Sequence, residues 1–447
     1  MPAGLVMIER TSGELTNQPE ISLDYWNTLA PEERVDTFQK MPNSEKDDFF
    51  LALSARDQSA LILALPENER RIWLRLLPPD DATDLIQEAP EEERAGLLGL
   101  LDDYTRREVV ALLAYKEDDA GGLMSPRFAR LRPDMTVDEA ITYLRRQAQQ
   151  VETIHYAYAL DSEQHLLGVV ALRRLFSAAR EQTVREVMRT DFIAASEEMD
   201  QDALAKLFSE EHLLAIPIVD ARNRMKGIVT VDDIVNVVTE EASEDIQKIG
   251  GMEALEAPYL QSAFADMVKK RGRWLAALFI GEMFTATAMG YYEAEIAKAV
   301  VLIMFVPLII SSGGNSGSQA TTLVIRAMAL GEVRLRDWWR VVRRELAAGL
   351  ALGCMLAAIG FVRIIVWQAV KPLYGPYYLL VAFTVAASLI GVVLFGTIAG
   401  SMLPFLLRRL GVDPASASAP FVATLVDVTG LVIYFTVASI ILHGTLL

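Results

Sequence analysis

FVATLVDVTGLVIYFTVASIIL, residues 421–442, decides what kind of protein this is. The run has a single charge, Asp427. As a helix rising about 1.5 Å per residue it reaches ~33 Å, the depth of a bilayer's hydrocarbon core. A carboxylate near the middle of such a helix costs roughly 2.5–3.5 kcal/mol on insertion, so it needs a function or a partner.

Four further apolar spans lie upstream, at 274–292, 298–325, 345–368 and 377–404, and the last covers 420–443. Positive charges orient them. Lys269, Lys270, Arg271 and Arg273 precede the first span; Arg326, Arg334, Arg336, Arg340, Arg343 and Arg344 follow the second; Arg408 and Arg409 follow the fourth. The other side has Lys298, Lys371 and Arg363. This bias puts the N-terminal half in the cytoplasm and the C-terminus outside. The start, MPAGLVMIERTSGEL, has no basic region leading into a long apolar run, so no signal peptide is expected.

The chain has 447 residues, 52% of them hydrophobic, and a net charge of -17 that is unevenly placed. Residues 1–260 hold 50 acidic against 27 basic side chains, whereas residues 261–447 hold 9 against 15. An acidic soluble half is joined to a mildly basic apolar half. The acidic half would repel phosphates, which argues against nucleic acid as a partner; it suits divalent cations or a plain solvated surface. The single cysteine, Cys354, rules out a disulfide framework or a cysteine metal site within one chain.

The first ~120 residues read as short repeated helices. Pro66, Pro78 and Pro90 recur every 12 residues in LPENERR, LPPDDAT and APEEERA. Proline and acidic residues at a helix start suit the missing N–H and the helix dipole. Residues 124–245 hold a longer repeat: MSPRFARLRPDMTVDEAITYL returns 64 residues later as MRTDFIAASEEMDQDALAKLF. Each copy runs into an apolar β-like stretch (IHYAYALD, LAIPIVDA), then a turn and GVVALRRL or GIVTVDDI. This β-α-β-β-α order, with the Thr230-x-x-Asp233 spacing, resembles a pair of CBS modules. In 246–272 Phe264, Met267 and Val268 share one helical face ahead of Lys269 and Lys270, so an amphipathic connecting helix is expected.

The second span holds VPLIISSGGNSGSQATTLVIRA. Pro307 should free the Ile303 carbonyl. Gly313 and Gly317 have the small-xxx-small spacing of close helix packing. Asn315 and Gln319 share a face that needs polar company lipid cannot supply, as do Asp427 and Thr424 on the last span. Two such faces in one bundle point to a shared wet pathway.

GGNSGSQATTLVIRA, RDWWRVVRRE, LPFLLRRLGVDPA and PFVATLVDVTG, set in five spans behind a helical array and two CBS modules, resemble the MgtE family of magnesium channels. The resemblance runs from about residue 30 to the end. It implies a multidomain fold: an all-α superhelical N-terminal domain (1–123), an α/β CBS pair (124–186 and 187–245), a connecting helix (246–272) and a five-span α-helical pore domain (273–447). It implies a homodimer of the inner (plasma) membrane, embedded in lipid, that imports Mg²⁺ and is no enzyme. The pore ion site would be Asp427 with the Ala423 carbonyl, with Asn315, Gln319 and Thr424 lining the path. Mg²⁺ sheds water reluctantly, so few carboxylates and retained water suit it.

The resemblance also implies regulatory Mg²⁺ at Asp48, Asp80, Asp84, Asp200, Asp202, the Ser209 carbonyl, Asp233, Glu241, Glu244 and Asp245. Independently, Glu241, Glu244 and Asp245 crowd one helical face, where like charges repel unless a cation sits there. Asn236 and His212 stand where the family can have acidic ligands. ATP is the second ligand implied, at Tyr156, Arg173 and Thr230, although Arg174 replaces an aspartate suited to a ribose. A coupled divalent-cation carrier and a membrane-anchored Mg²⁺ sensor are the rival readings. A membrane metalloprotease is not supported, because no HExxH occurs.

Overall fold

Helix-start signals recur throughout the N-terminal region. The computed structural model describes residues 23–26, 28–255, 259 and 262–446, so the expected absence of a signal peptide concerns residues outside those described. The array comprises α1 (Leu23–Trp26), α2 (Pro31–Lys40), α3 (Asn43–Leu51), α4 (Ala55–Ala64), α5 (Glu67–Leu74), α6 (Pro79–Glu88), α7 (Glu91–Leu100) and α8 (Asp103–Leu112). The residues capping α2 to α8 are Ala30, Pro42, Ser54, Pro66, Pro78, Pro90 and Asp102, at a constant twelve-residue interval. Ser54 and Asp102 accept backbone N–H groups of the first turn. The proline caps offer no side-chain acceptor, and their carbonyls take the first helical N–H groups, Glu45 to Pro42, Glu69 to Pro66, Ala82 to Pro78 and Glu93 to Pro90.

A second repeat is superposed on the first. Arg34, Arg70 and Arg94 stand fourth in their helices and donate back to carbonyls of the preceding segment: Leu29; Leu65 and Leu63; Ala89 and Gln87. Each joins one helix start to the end before it. Alternate helices pack, α2 on α4, α4 on α6 and α6 on α8, around Phe38, Phe50, Ile62, Leu74, Leu85 and Ile86.

Two matching α/β modules follow. The first comprises β1 (Arg130–Leu131), α9 (Val137–Gln147), β2 (Tyr156–Leu160), β3 (Leu166–Ala171), α10 (Leu172–Ser177) and α11 (Val184–Val187). The second comprises β4 (Ala195–Ser196), α12 (Gln201–Glu211), β5 (Ala215–Val219), β6 (Met225–Thr230) and α13 (Val231–Ile249). In each sheet the short strand pairs parallel with the middle one, which pairs antiparallel with the third. Both middle strands are irregular at equivalent places, Ala159/Leu160 and Ile218/Val219. The 64-residue repeat of the sequence is thus a repeat of structure.

The chain divides into two units, one ending at Val238 and the other beginning at Thr239. The second contains the end of α13, then α14 (Phe264–Tyr291), α15 (Glu293–Lys298), a 3₁₀ segment (Val300–Phe305), α16 (Val306–Ala329), α17 (Trp338–Val370), α18 (Tyr378–Arg409) and α19 (Ala419–Ile441). Among the described residues four helical stretches are long and apolar enough to cross a membrane: Val300–Ala329, Leu335–Val370, Tyr378–Arg409 and Ala419–Ile441. The expected first span lies inside α14, which carries Asp266, Lys269, Lys270, Arg271 and Arg273 near its start and Glu282 in its middle.

Two expectations are corrected. Among the described residues of 246–272 there is no separate connecting helix: 246–249 continue α13, and 264–272 run without a break into α14. The apolar face read there continues into the span, so its periodicity had no boundary to mark. Nor does Pro307 free the Ile303 carbonyl, which accepts from the Val306 N–H at the end of the 3₁₀ segment. Proline sits at the start of α16, where its missing N–H has no helix partner to lose.

Candidate functional site

α19 is an apolar helix that carries Thr424 and Asp427 in its N-terminal half. Ala423, Thr424 and Asp427 lie within one turn of each other, and all three are partly exposed. Ala423 faces α16, where a Cβ added at Gly314 would lie 3.6 Å from it. Thr424 faces α14, where a Cβ at Gly281 would come within 2.9 Å of its methyl. The Thr424 hydroxyl donates to the Pro420 carbonyl at 3.1 Å. Asp427 reaches the Glu282 carboxyl of α14 at hydrogen-bonding range. Glu282 carries the same signal as Asp427, a lone acid inside an apolar run, and was passed over in reading the spans.

Glycines set the scaffold of this region. A Cβ at Gly313 would strike Val392 and Val426; one at Gly317 would strike Val422 and the Gly396 carbonyl. Opposite, a Cβ at Gly400 would fall 2.2 Å from the Gly317 carbonyl. Thr321 fixes the same crossing by donating to the Gly317 and Gly400 carbonyls, at 3.0 and 2.8 Å. The small residues of α16 therefore face inward, against α18 and α19. Asn315 and Gln319 lie on its exposed side, with the Asn315 amide 3.4 Å from the Ser311 hydroxyl.

The expected regulatory residues divide into groups. Asp80, in the first turn of α6, is 9% exposed, and its Oδ1 is enclosed without a hydrogen-bond partner. Burial, then the like charges of Glu152, Asp81 and Asp233, raise its pKa well above the carboxylate range. Asp233 is pushed up to about 6, mainly by burial and against the hydrogen bonds that Thr230 donates to it. Those bonds come from the Thr230 N–H at 3.2 Å and its hydroxyl at 2.7 Å. Asp80 and Asp233 thus feel one another's charge, and that of Asp81 and Glu152, two exposed carboxylates that sequence spacing did not single out. An enclosed carboxylate oxygen among like charges fits a cation.

The remaining expected ligands lie elsewhere. Asp84 is one turn beyond Asp80, half-buried. Asp48 is exposed on α3. Asp200 caps α12 by accepting the Asp202 N–H at 3.1 Å; Asp202 and Ser209 are exposed along that helix, which His212 ends in a left-handed conformation (φ 53°). In the second unit Glu241, Glu244 and Asp245 lie along the end of α13. A cation already serves part of that face: Lys248 Nζ lies 2.5 Å from Glu244 and 2.7 Å from Asp413, in the loop between α18 and α19. Asp245 is raised by burial and then by Asp413. Asn236 lies on α13 before this face. Among the described residues no three His, Cys, Asp or Glu side chains converge to hold a metal ion.

Of the expected nucleotide contacts, Tyr156 stands opposite Ala171 in the sheet, with Arg173 and Arg174 exposed on the α10 that follows. Thr230 is buried and engaged by Asp233.

Comparison with known proteins places these features. Residues 306–437 match the model of the MgtE divalent cation transporter, residues 18–118 the MgtE intracellular N domain, and residues 120–181 and 184–240 the CBS domain. The chain is 40% identical to the magnesium transporter MgtE of Thermus thermophilus over 364 residues, covering 81% of this chain and 79% of that protein. It is 31% identical to the magnesium transporter MgtE of Bacillus subtilis, covering 78% and 75%. Among solved structures, the cytosolic domain of the Mg²⁺ channel MgtE in complex with ATP aligns at 36% identity and a TM-score of 0.46, covering 48% of this chain and 88% of that one.

Proposed function

Because the chain belongs to the MgtE family of divalent-cation transporters, we propose that it carries Mg²⁺ across the plasma membrane through a pore built by two copies, with Asp427 as the ion site. The observation that carries this reading is a carboxylate in an apolar span, partly exposed and one turn beyond the Ala423 carbonyl. Two-fold symmetry would set two such carboxylates against one dication, which offsets the cost of keeping them in the membrane. Asn315 and Gln319, exposed on an otherwise apolar helix, then line the path between the copies with Thr424.

α14 is taken as the first of five crossings, which leaves the C-terminus outside. Its exposed Leu275, Phe279, Ile280, Met283 and Phe284 support this, since such side chains suit lipid. Cytosolic Mg²⁺ acts as a brake by binding a closed arrangement of the acidic half more tightly than an open one. The Asp80–Asp233 pair, with Asp84, is the chief element of that brake. Asp48, Asp200, Asp202, Ser209, Glu241, Glu244 and Asp245 are its outlying ligands. Tyr156, Arg173 and Thr230 are the positions open to ATP in the CBS pair, but Arg174 stands where a ribose suits a carboxylate and Thr230 is already engaged by Asp233, so ATP is the weaker of the two ligands.

The test is metal-specific flux into liposomes containing this chain alone. Rapid, saturable Mg²⁺ entry, slowed by millimolar Mg²⁺ on the face bearing the acidic domains, is expected. Absence of flux would favour a non-transporting sensor. Entry that requires a counter-ion gradient would favour a coupled carrier.

A further inference from the structure

Between Trp274 and Tyr291, α14 carries one charged side chain, Glu282. An acidic group is expensive to hold in an apolar span and normally faces water or a partner. The partner here is another acid, because Glu282 lies at hydrogen-bonding range of Asp427 and is the charged group that acts on it. Gly281 lets the two helices close at this level, since a Cβ there would meet Thr424 at 2.9 Å. One turn further along α14, the Thr285 Oγ1 is enclosed and has no hydrogen-bond partner. Two carboxyls and an unserved hydroxyl on neighbouring turns make a polar spot inside an apolar helix pair.

We infer that Glu282 is a second carboxylate of the pore site, acting with Asp427 as one divalent-cation-holding pair in each subunit. The inference rests on the reading of Asp427 as a pore residue. Like charges at contact distance repel unless something positive lies with them, and a dication in the path supplies that charge. A dimer would then set four carboxylates, not two, around the ion path. This tightens binding of Mg²⁺ and lowers the concentration at which the path saturates.

Flux of Mg²⁺ into liposomes is measured against Mg²⁺ concentration for the full chain and for Glu282→Gln, Glu282→Asp and Asp427→Ala. Glu282→Gln should raise the half-saturating Mg²⁺ by about tenfold or more, and Glu282→Asp should recover most of that loss. Half-saturation unchanged in Glu282→Gln, with Asp427→Ala inactive, would overturn this inference and leave the Asp427 reading standing. Parental flux in Asp427→Ala would instead overturn the reading on which it rests. Should Glu282→Gln fail to assemble, the unmodified chain decides: dicyclohexylcarbodiimide should modify Glu282, and Mg²⁺ alone should slow that modification. Modification indifferent to Mg²⁺ would mean that Glu282 and Asp427 share only a proton for structural reasons, and the inference fails.

Discussion

Asp80 and Asp233 are the carboxylates proposed here to register Mg²⁺. Each is raised above the ordinary range chiefly by burial, Asp233 to about 6. A carboxylate raised in the folded chain gives stability that is fully present below the unfolded value near 3.8 and is lost as pH rises through about 6. In Mg²⁺-free buffer the acidic half should therefore melt at a lower temperature at pH 7.5 than at pH 5. Asp233→Asn keeps an acceptor for Thr230 but removes the titration, and should flatten this slope by about 1–3 kcal/mol. Melting curves at the two pH values check it; an unaltered slope in the variant would mean that Asp233 is not the group responsible. Asp80→Asn should stabilise the Mg²⁺-free chain by about 1 kcal/mol, because it removes a buried charge with an unpartnered oxygen. It should also abolish most of the rise in melting temperature that millimolar Mg²⁺ produces; a full Mg²⁺ response would contradict that role.

At the scale of elements, the α16–α18 crossing depends on glycines set against the facing backbone, Gly396 against Gly313 and Gly400 against Gly317. Gly400→Ala would push a methyl to 2.2 Å from the Gly317 carbonyl, so the helices must part, at a cost of about 1–3 kcal/mol. Gly99→Ala, in α7, meets open space and should stabilise by about 0.5–1 kcal/mol through helix propensity. Thermal unfolding of the purified chain should thus move in opposite directions for one substitution type, and matching shifts would refute the packing account. The elements differ in how plainly the sequence announced them. Pro66, Pro78 and Pro90 exposed a twelve-residue beat, but its other beats fall on Ala30, Pro42, Ser54 and Asp102, which cap helices by different chemistry. The CBS repeat was legible because both copies keep the same alternation and turn. Lys248 could not be placed, since Asp413 lies 165 residues away and only the fold joins them. Glu282 gave no periodic signal, and its meaning depends on which helix α14 packs against.

Across the whole molecule, the proposed function joins an acidic half that would sense Mg²⁺ to an apolar half that would conduct it. Deleting residues 1–125 removes Asp80 and Asp84, hence one side of the acidic cluster, while the spans remain. The shortened chain should transport yet respond weakly to millimolar Mg²⁺ on its cytoplasmic face; an undiminished brake would place control elsewhere. A cytoplasm-dependent reporter should work at Met1 and fail after Leu447, and activity at both ends would mean an even number of crossings. The central claim is that Asp427 serves the ion and not the fold. Attraction between unit charges at ~4 Å and an effective dielectric near 20 is ~4 kcal/mol, so losing this carboxylate from both copies should lower Mg²⁺ binding in the pore by orders of magnitude. An alanine is easier to place in a membrane than a carboxylate, so assembly should not suffer. The direct test is Mg²⁺ flux from purified, heat-stable Asp427→Ala and Asp427→Asn dimers in liposomes. The account predicts well-assembled dimers with almost no flux in either variant; normal flux from such dimers would contradict it.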